Sequence, residues 1–114
     1  MDASNAILIV KALDGLAARA VVTAENIANA GTQNYRPLRV NFESALKEAA
    51  ARGDDAVRQV ALSAQRVAPG ASDETLRVDL EMATASATAL RYGALIEILN
   101  RQGQLKSLAI TGNR

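Results

Sequence analysis

The side chains that could do chemistry in this 114-residue chain are acids, amides and basic groups, because cysteine and histidine are both absent. Their absence excludes disulfides, thiolate nucleophiles, histidine acid–base catalysis and the usual zinc ligands. Acidic clusters occur at Asp54–Asp55 and Asp73–Glu74, and both fall in predicted loops. No nucleophile with an adjacent base and no phosphate-binding glycine loop accompanies them. The sequence therefore predicts a protein that is not an enzyme and that uses no cofactor and no metal.

Four polar residues are the best candidates for recognition of another chain. Asn26 and Asn29 lie on adjacent turns of a predicted helix, so they could hydrogen-bond a neighbouring chain or the turn that follows. Tyr35 and Arg36 lie in that turn, and Tyr35 is either an anchor of the loop or a contact to another subunit. We expect these four residues to touch the next subunit. Tyr92, in a second predicted helix, either packs near the turn or points to a neighbour.

A long helix predicted over residues 2–30 positions the two asparagines. Small and apolar side chains recur in it at spacings of three and four, the period of a helix that packs lengthwise against another helix. Gly31 is predicted to end it in the left-handed conformation. The helix would be roughly 43 Å long, whereas a compact globule of this chain length is roughly 35 Å across. An elongated subunit is therefore expected, with this seam: Ala6, Ile9, Leu13, Leu16, Ala20, Thr23, Ile27 and Ala30.

A second long helix is predicted over residues 79–110, with Asp79 as its N-cap. Its seam follows a heptad pattern that is interrupted once by an extra step of four residues. Such a step locally straightens a supercoil. Between the long helices, the sequence predicts a loop over 31–40, a short helix over 41–52 with Asn41 as N-cap, and a weakly ordered surface excursion over 53–78. The second seam contains Leu80, Ala83, Ala87, Leu90, Ala94, Ile98, Gln102, Leu105 and Ala109.

These elements predict an all-α fold in which two long terminal helices form an antiparallel, coiled-coil-like hairpin. A short helix and an irregular loop segment lie between them, and residues 1–114 form a single domain. Two helices with alanine-rich seams bury little apolar surface, which barely offsets the ordering entropy of the chain. We therefore expect the isolated subunit to be marginally stable or partly disordered, and to gain order by packing against copies or relatives of itself.

Both seams are predicted to form an assembly surface, although an ordinary intramolecular core produces the same pattern. A soluble helical-hairpin adaptor, which binds a partner helix in a groove and forms no filament, is the alternative. With the polar candidates included, the predicted assembly residues are Ile9, Leu13, Leu16, Asn26, Ile27, Asn29, Tyr35, Arg36, Leu90, Tyr92, Leu95, Ile98 and Leu105.

Composition argues against two other classes of partner. The net charge of +1 and the three aromatic residues offer neither a basic stripe nor stacking platforms for nucleic acid. The longest strongly apolar run, Ala6 to Val10, is far shorter than a membrane span. Asp2 and Lys11 do not fit a cleaved signal peptide, so we expect the N-terminus to be retained.

Two stretches of the chain resemble the terminal motifs of bacterial flagellar basal-body rod and hook proteins. Residues 24–30 read Ala-Glu-Asn-Ile-Ala-Asn-Ala and are followed by Thr32 and by Tyr-Arg at 35–36. The family usually has Ala-Asn-Ile-Ala-Asn-Ala and then Asn-Thr-Pro-Gly-Tyr. Residues 40–42, Val-Asn-Phe, stand where the family tends to have Val-Asp-Phe. Residues 78–82 and 89–96 resemble the C-terminal helix of the proximal rod members. Departures from the family pattern occur at Gly31, Gln33, Asn34 and Gly93.

The resemblance covers about half of the chain and implies a structural function. Members of the family are exported unfolded by the flagellar type III machine, without a cleaved signal, and assemble into the rod that crosses the periplasm. The implied partners are copies of the chain and other rod proteins, with membrane-ring and export-gate proteins at the rod base. The terminal helices are implied to be loosely ordered before assembly and to form the inner tube of coiled helices afterwards.

Overall fold

The computed structural model describes residues 2–71 and 75–112, and most of these residues are helical. The chain is elongated as expected, with principal-axis extents of 65 × 28 × 15 Å. In chain order the elements of the described residues are α1 (Ala3–Ala28), β1 (Leu38–Arg39), α2 (Glu43–Arg52), α3 (Asp54–Arg58), β2 (Gln65–Arg66) and α4 (Val78–Gly112).

The two long helices, α1 and α4, pack against each other in antiparallel directions. Asn26, near the end of α1, contacts Glu81, near the start of α4. Leu8, near the start of α1, lies beside Leu95 in the second half of α4. The predicted hairpin of two long helices is therefore confirmed. Because α4 has 35 residues and α1 has 26, α4 runs on past the start of α1, and residues 103–112 are exposed throughout.

Helix α1 begins and ends close to its predicted bounds. The Asp2 carboxylate caps it by accepting a hydrogen bond from the Asn5 backbone N–H at 2.9 Å. Asn29 is the C-cap, with φ −102°. Gly31 does not close the helix in the left-handed conformation, so that prediction was wrong. Three residues later, Asn34 does adopt this conformation, at φ 62°, and asparagine tolerates it better than most residues.

The middle of the chain is more ordered than predicted. Helix α2 begins at Glu43 without Asn41 as its cap, and α3 follows at once where a turn was expected. Strand β2 pairs antiparallel with β1, with Leu38 opposite Arg66. The prediction of a weakly ordered excursion was wrong for residues 54–67, because Val57 and Val67 are buried there and hold the segment against the body.

The hydrophobic core lies between α1 and the middle of the chain, rather than between the two long helices. Helix α4 reaches this core through Leu95, which is half-buried. The middle segment thus supplies apolar burial that a two-helix hairpin lacks. Marginal stability of the isolated subunit stays a prediction. The buried cluster consists of Leu16, Val22, Val40, Phe42, Leu46, Ala49 and Val57.

The Phe42 ring packs directly on the backbone of α1 at Gly15. A Cβ atom at Gly15 would lie 2.6 Å from the ring Cε1, well inside van der Waals contact. The Arg19 guanidinium lies over the same ring, 5.0 Å from its centre. Gly15 is therefore the position that lets the middle of the chain approach α1 so closely.

Candidate assembly surface and buried polar network

An exposed apolar stripe runs along α4, outside the face that packs on α1. Leu90 is 75% exposed, Ile98 44% and Leu105 53%. At about 100° per residue, Leu90 lies opposite Glu81 and Thr88, the two buried residues of the helix, while Ile98 and Leu105 lie roughly 90° to 110° away from them. The predicted seam of α4 is therefore not the face that packs within the chain. We name this surface the α4 stripe: Leu80, Leu90, Ala94, Ile98, Leu105 and Leu108.

The predicted seam of α1 differs from that of α4, because the large residues of the α1 seam are covered by other parts of the same chain. Leu13 and Leu16 are buried, while Ile9 and Ile27 are half-buried. Leu13 and Leu16 therefore contribute to the interior of the chain. A core role and an assembly role can hold at once, and the role of these two residues in assembly stays a prediction.

A fully buried asparagine joins three parts of the chain. The Asn26 Nδ2 atom donates to the Leu38 carbonyl at 3.0 Å and to Glu81 Oε2 at 3.1 Å. Its Oδ1 atom accepts from the Tyr35 hydroxyl at 2.8 Å and from the Leu38 N–H at 2.9 Å. All four hydrogen-bonding positions of the amide are thus occupied. Asn26 ties α1 to the following turn, to β1 and to α4.

Glu81 completes this network from the side of α4. It is 4% exposed, and its Oε1 atom lies 2.7 Å from the Arg39 guanidinium. A buried carboxylate is stable only when charge and hydrogen bonds replace its water, and Arg39 and Asn26 supply both. We name this set the Asn26 network: Asn26, Tyr35, Leu38, Arg39 and Glu81.

Sequence reasoning missed Arg39 and Glu81 as members of this network. The available indication was Asn26 itself, which lies next to Ile27 and three residues after Thr23 in the apolar seam of α1. A polar residue beside a seam needs buried partners. Nothing in the linear sequence identifies a carboxylate 55 residues away as one of them.

The residues predicted to touch the next subunit bind within their own chain. Asn26 is fully buried, so its predicted contact with another subunit was wrong, and its bonds go to the turn that follows. Tyr35 also binds within the chain and anchors that turn, as one of its two alternatives states. Arg36 donates to the Val67 carbonyl at 2.8 Å, and Asn29 to the Glu25 carbonyl at 2.9 Å. These three side chains are half-buried, and their contact with a neighbour stays a prediction.

Two grooves flank the contact between the long helices. One, of about 620 Å³, lies between α1, α2 and α4 and is lined mainly by apolar side chains that include Leu8, Leu46 and Leu95. The other, of about 540 Å³, is lined by alanines of both long helices and by Tyr92. Tyr92 lies there beside Leu16, so it does not pack near the turn; it is 39% exposed.

An ion pair with two parallel hydrogen bonds fixes α2 to α1. Arg19 NH1 lies 2.6 Å from Glu43 Oε2, and Arg19 NH2 lies 2.7 Å from Glu43 Oε1. The same guanidinium also donates to the Val40 carbonyl. Hydrogen bonding from Arg19 lowers the pKa of Glu43 from 4.5 to about 2, because it favours the carboxylate form.

Replacement of Glu43 by glutamine is expected to lower the free energy of unfolding by about 1 kcal/mol at pH 7. Solvent screens the pair because half of the Glu43 side chain, 51%, is exposed. Since its pKa is lower in the folded state, the carboxylate stabilises the fold above pH 4.5, and this stabilisation is lost as the pH falls to about 2. Urea unfolding of wild type and Glu43→Gln at pH 7 and pH 2 measures the difference in their free energies of unfolding. The exposed Glu48→Gln is the control, and a wild-type advantage independent of pH would contradict the assignment.

Of the two acidic clusters, only Asp54–Asp55 lies among the described residues. Asp54 and Asp55 open α3, and Asp55 pairs with Arg58 at 2.9 Å. Asp73 and Glu74 lie outside the described residues. Within 2–71 and 75–112, no group of three or more acidic side chains could hold a metal ion. The helices of the same residues include none that is long and apolar enough to cross a membrane.

Neither the models of known protein families nor the curated proteins include a match to this sequence. The family and the function that the terminal motifs imply are therefore proposals.

Proposed function

We propose that this chain is a structural subunit of the bacterial flagellar basal-body rod, most like the proximal rod protein FlgB. Copies of it pack through their terminal helices into the axial tube that links the membrane ring to the distal rod and hook. On this proposal the chain is exported without a cleaved signal peptide. Its neighbours in the periplasmic rod are other rod proteins, and its neighbours at the rod base are the ring and export-gate proteins.

The α4 stripe on an elongated subunit is the observation that carries this proposal. Leu90, Ile98 and Leu105 expose large aliphatic side chains within an arc of roughly 80° on α4, a pattern typical of a surface that another protein covers. A contact between unlike faces that does not close a ring generates a helical tube. The motifs at residues 24–30 and 89–96 lie on the same two helices, which is where rod proteins assemble.

Deletion of the gene in a flagellated host tests the function directly. Electron microscopy of the remaining basal bodies should show membrane rings that carry neither rod nor hook. The reason is that a proximal subunit must be present before the distal rod can be added. Intact, rotating filaments in the deletion strain would overturn the rod assignment.

Substitution of Leu90 by aspartate should abolish swimming of the deletion strain without unfolding the protein. Leu90 is exposed, so its replacement should change the free energy of unfolding by no more than about 0.5 kcal/mol. Leu16→Ala should instead destabilise the fold by about 2–5 kcal/mol, because Leu16 is in the core. Circular dichroism and swimming assays of both variants separate assembly from folding. Ala51→Asp, on the exposed face of α2, is the surface control. If the Leu90→Asp variant swims normally, the α4 stripe is not part of the interface.

The groove between α1, α2 and α4 favours a second candidate, a soluble helical-hairpin adaptor. Its volume of about 620 Å³ and its apolar lining suit one face of a partner helix. An adaptor should sediment as a single stable species at every concentration. A rod subunit should associate as its concentration rises, so sedimentation equilibrium over a wide concentration range distinguishes the two.

A further inference from the structure

The exposed face of α1 is acidic, because the basic residues of this helix are turned toward the middle of the chain. Lys11 Nζ donates to the Arg58 carbonyl at 2.9 Å, and Arg19 is held by Glu43 and the Val40 carbonyl. Asp14 and Glu25 are both exposed. They are therefore the charges that α1 presents to solvent.

These two acids share their face with exposed valines. Val10 is 49% exposed and Val21 is 67% exposed. At about 100° per residue, the valines and the acids fall within an arc of roughly 60°, and Val10 and Asp14 line a groove with Arg58 of α3. We name this surface the α1 stripe: Val10, Asp14, Val21 and Glu25.

The α4 stripe is bordered by charges of the opposite sign. The Arg91 side chain is 65% exposed, and the Arg101 side chain is 69% exposed. Glu97 is the acidic residue beside them, at 3.4 Å from Arg101. Arg91 lies 4.0 Å from Glu43, whose carboxylate is already bound by Arg19. Both arginines thus keep most of their surface free for a partner.

The spacings of the two charge pairs match. Asp14 and Glu25 are about 16 Å apart along α1, and Arg91 and Arg101 are about 15 Å apart along α4. Around α4 the two arginines are about 80° apart, with Ile98 and Leu105 between them, so a helix that lies along the stripe can meet one arginine on each side. Leu90 and Ile98 then lie against the exposed valines of the α1 stripe. Opposite charges around an apolar centre are the usual arrangement of a specific interface.

We propose that the α1 stripe of one copy docks on the α4 stripe of the next copy. This inference rests on the proposed function and adds to it the two faces and the charges that join subunits. The occupant is a second copy, because α1 and α4 of one chain meet through other faces and cannot bring their own stripes together. Each contact leaves one stripe free at each end, so the assembly is open and continues to grow.

Charge reversal tests the pairing. One variant carries Asp14→Arg with Glu25→Arg, and the other carries Arg91→Glu with Arg101→Glu. Each variant has the same sign of charge on its α1 stripe and its α4 stripe, so its self-association should weaken at least tenfold. Neither variant should restore swimming to the deletion strain. An equimolar mixture, or co-expression, should restore both, because every contact in an alternating chain then joins opposite charges. Sedimentation and chemical crosslinking of the purified chains measure the association.

Three controls keep the outcomes distinct. Glu48→Arg with Arg52→Glu changes exposed charges on α2 and should behave as wild type. Asp14→Asn with Glu25→Gln introduces no repulsion and should lie between wild type and the reversed variant. Helical circular dichroism should be unchanged in every variant.

The inference fails if the reversed variants swim and associate like wild type, or if their mixture does not recover. A deletion strain that lacks rods would uphold the proposed function in either case. Complete basal bodies in the deletion strain would instead overturn the function, and the association of the purified chains would still decide whether the two stripes pair.

Discussion

Replacement of Asn26 by alanine is expected to lower the free energy of unfolding by about 3 kcal/mol. The substitution removes a fully buried amide and leaves the Leu38 backbone groups, the Tyr35 hydroxyl and one oxygen of Glu81 without their partner. Unpaired polar groups in a dry interior cost more than the lost bonds were worth. Urea unfolding followed by circular dichroism gives the value directly.

Asn29→Ala is the matched control for this prediction. Asn29 is also an asparagine near the end of α1, but its bonds go to the Glu25 carbonyl and the Thr32 hydroxyl nearby. Because it is half-buried and water can replace these bonds, its loss should cost less than about 1 kcal/mol. Equal effects of the two substitutions would contradict the special role of the Asn26 network.

A charged replacement at the same position adds a test of the electrostatics. Asn26→Asp should destabilise the fold more than Asn26→Ala at pH 7, because a second carboxylate would face Glu81. As the pH is lowered, repulsion between the two carboxylates favours proton uptake by the introduced carboxyl, so the excess destabilisation should shrink. Unfolding curves at several pH values would show this. An excess that does not change with pH would mean that Glu81 does not face the substituted side chain.

Replacement of Gly15 by valine is expected to destabilise the protein by about 3 kcal/mol. The new Cβ would meet the Phe42 ring at 2.6–2.7 Å, and this ring is buried in the core with little room to move. The better helix propensity of valine offsets a small part of the clash. The free energy of unfolding measures the result.

The control is Gly93→Val on α4, where a Cβ would meet nothing within 4 Å. That substitution should leave stability unchanged or raise it by a few tenths of a kcal/mol. The Gly15→Val effect should also shrink when Phe42 is replaced by leucine, because the two positions touch and their effects are not additive. A constant penalty in both backgrounds would show that the cost does not come from the ring.

The long helices could be predicted from sequence because their signals are local. The seams repeat over many turns, Asp2 supplies an N-cap, and no proline interrupts either helix. These features act within one helix and do not depend on what packs against it. For the same reason the bounds of α1 and α4 lie within two residues of the predicted ones.

The partners of each face could not be predicted, because a periodic pattern marks a face without saying what covers it. Both sides of α4 carry large apolar residues, and the side that packs within the chain also carries the buried Glu81 and Thr88. The face of α4 that packs within the chain is set by Asn26 and Arg39, the partners of Glu81, which are distant from it in the sequence. The two-residue strands form for a similar reason, since pairing between Leu38 and Arg66 depends on where α1 and the core place them.

The placement of the core also predicts an order of folding. Every residue of the buried cluster precedes α4 in the chain, and among the described helices and strands α4 packs its backbone against α1 alone. The first two-thirds of the polypeptide can therefore close its interior before the last helix docks. In amide hydrogen exchange, the N–H groups of α4 should open at a lower free energy than those of α1. The longest helix of the protein is thus also its most detachable part.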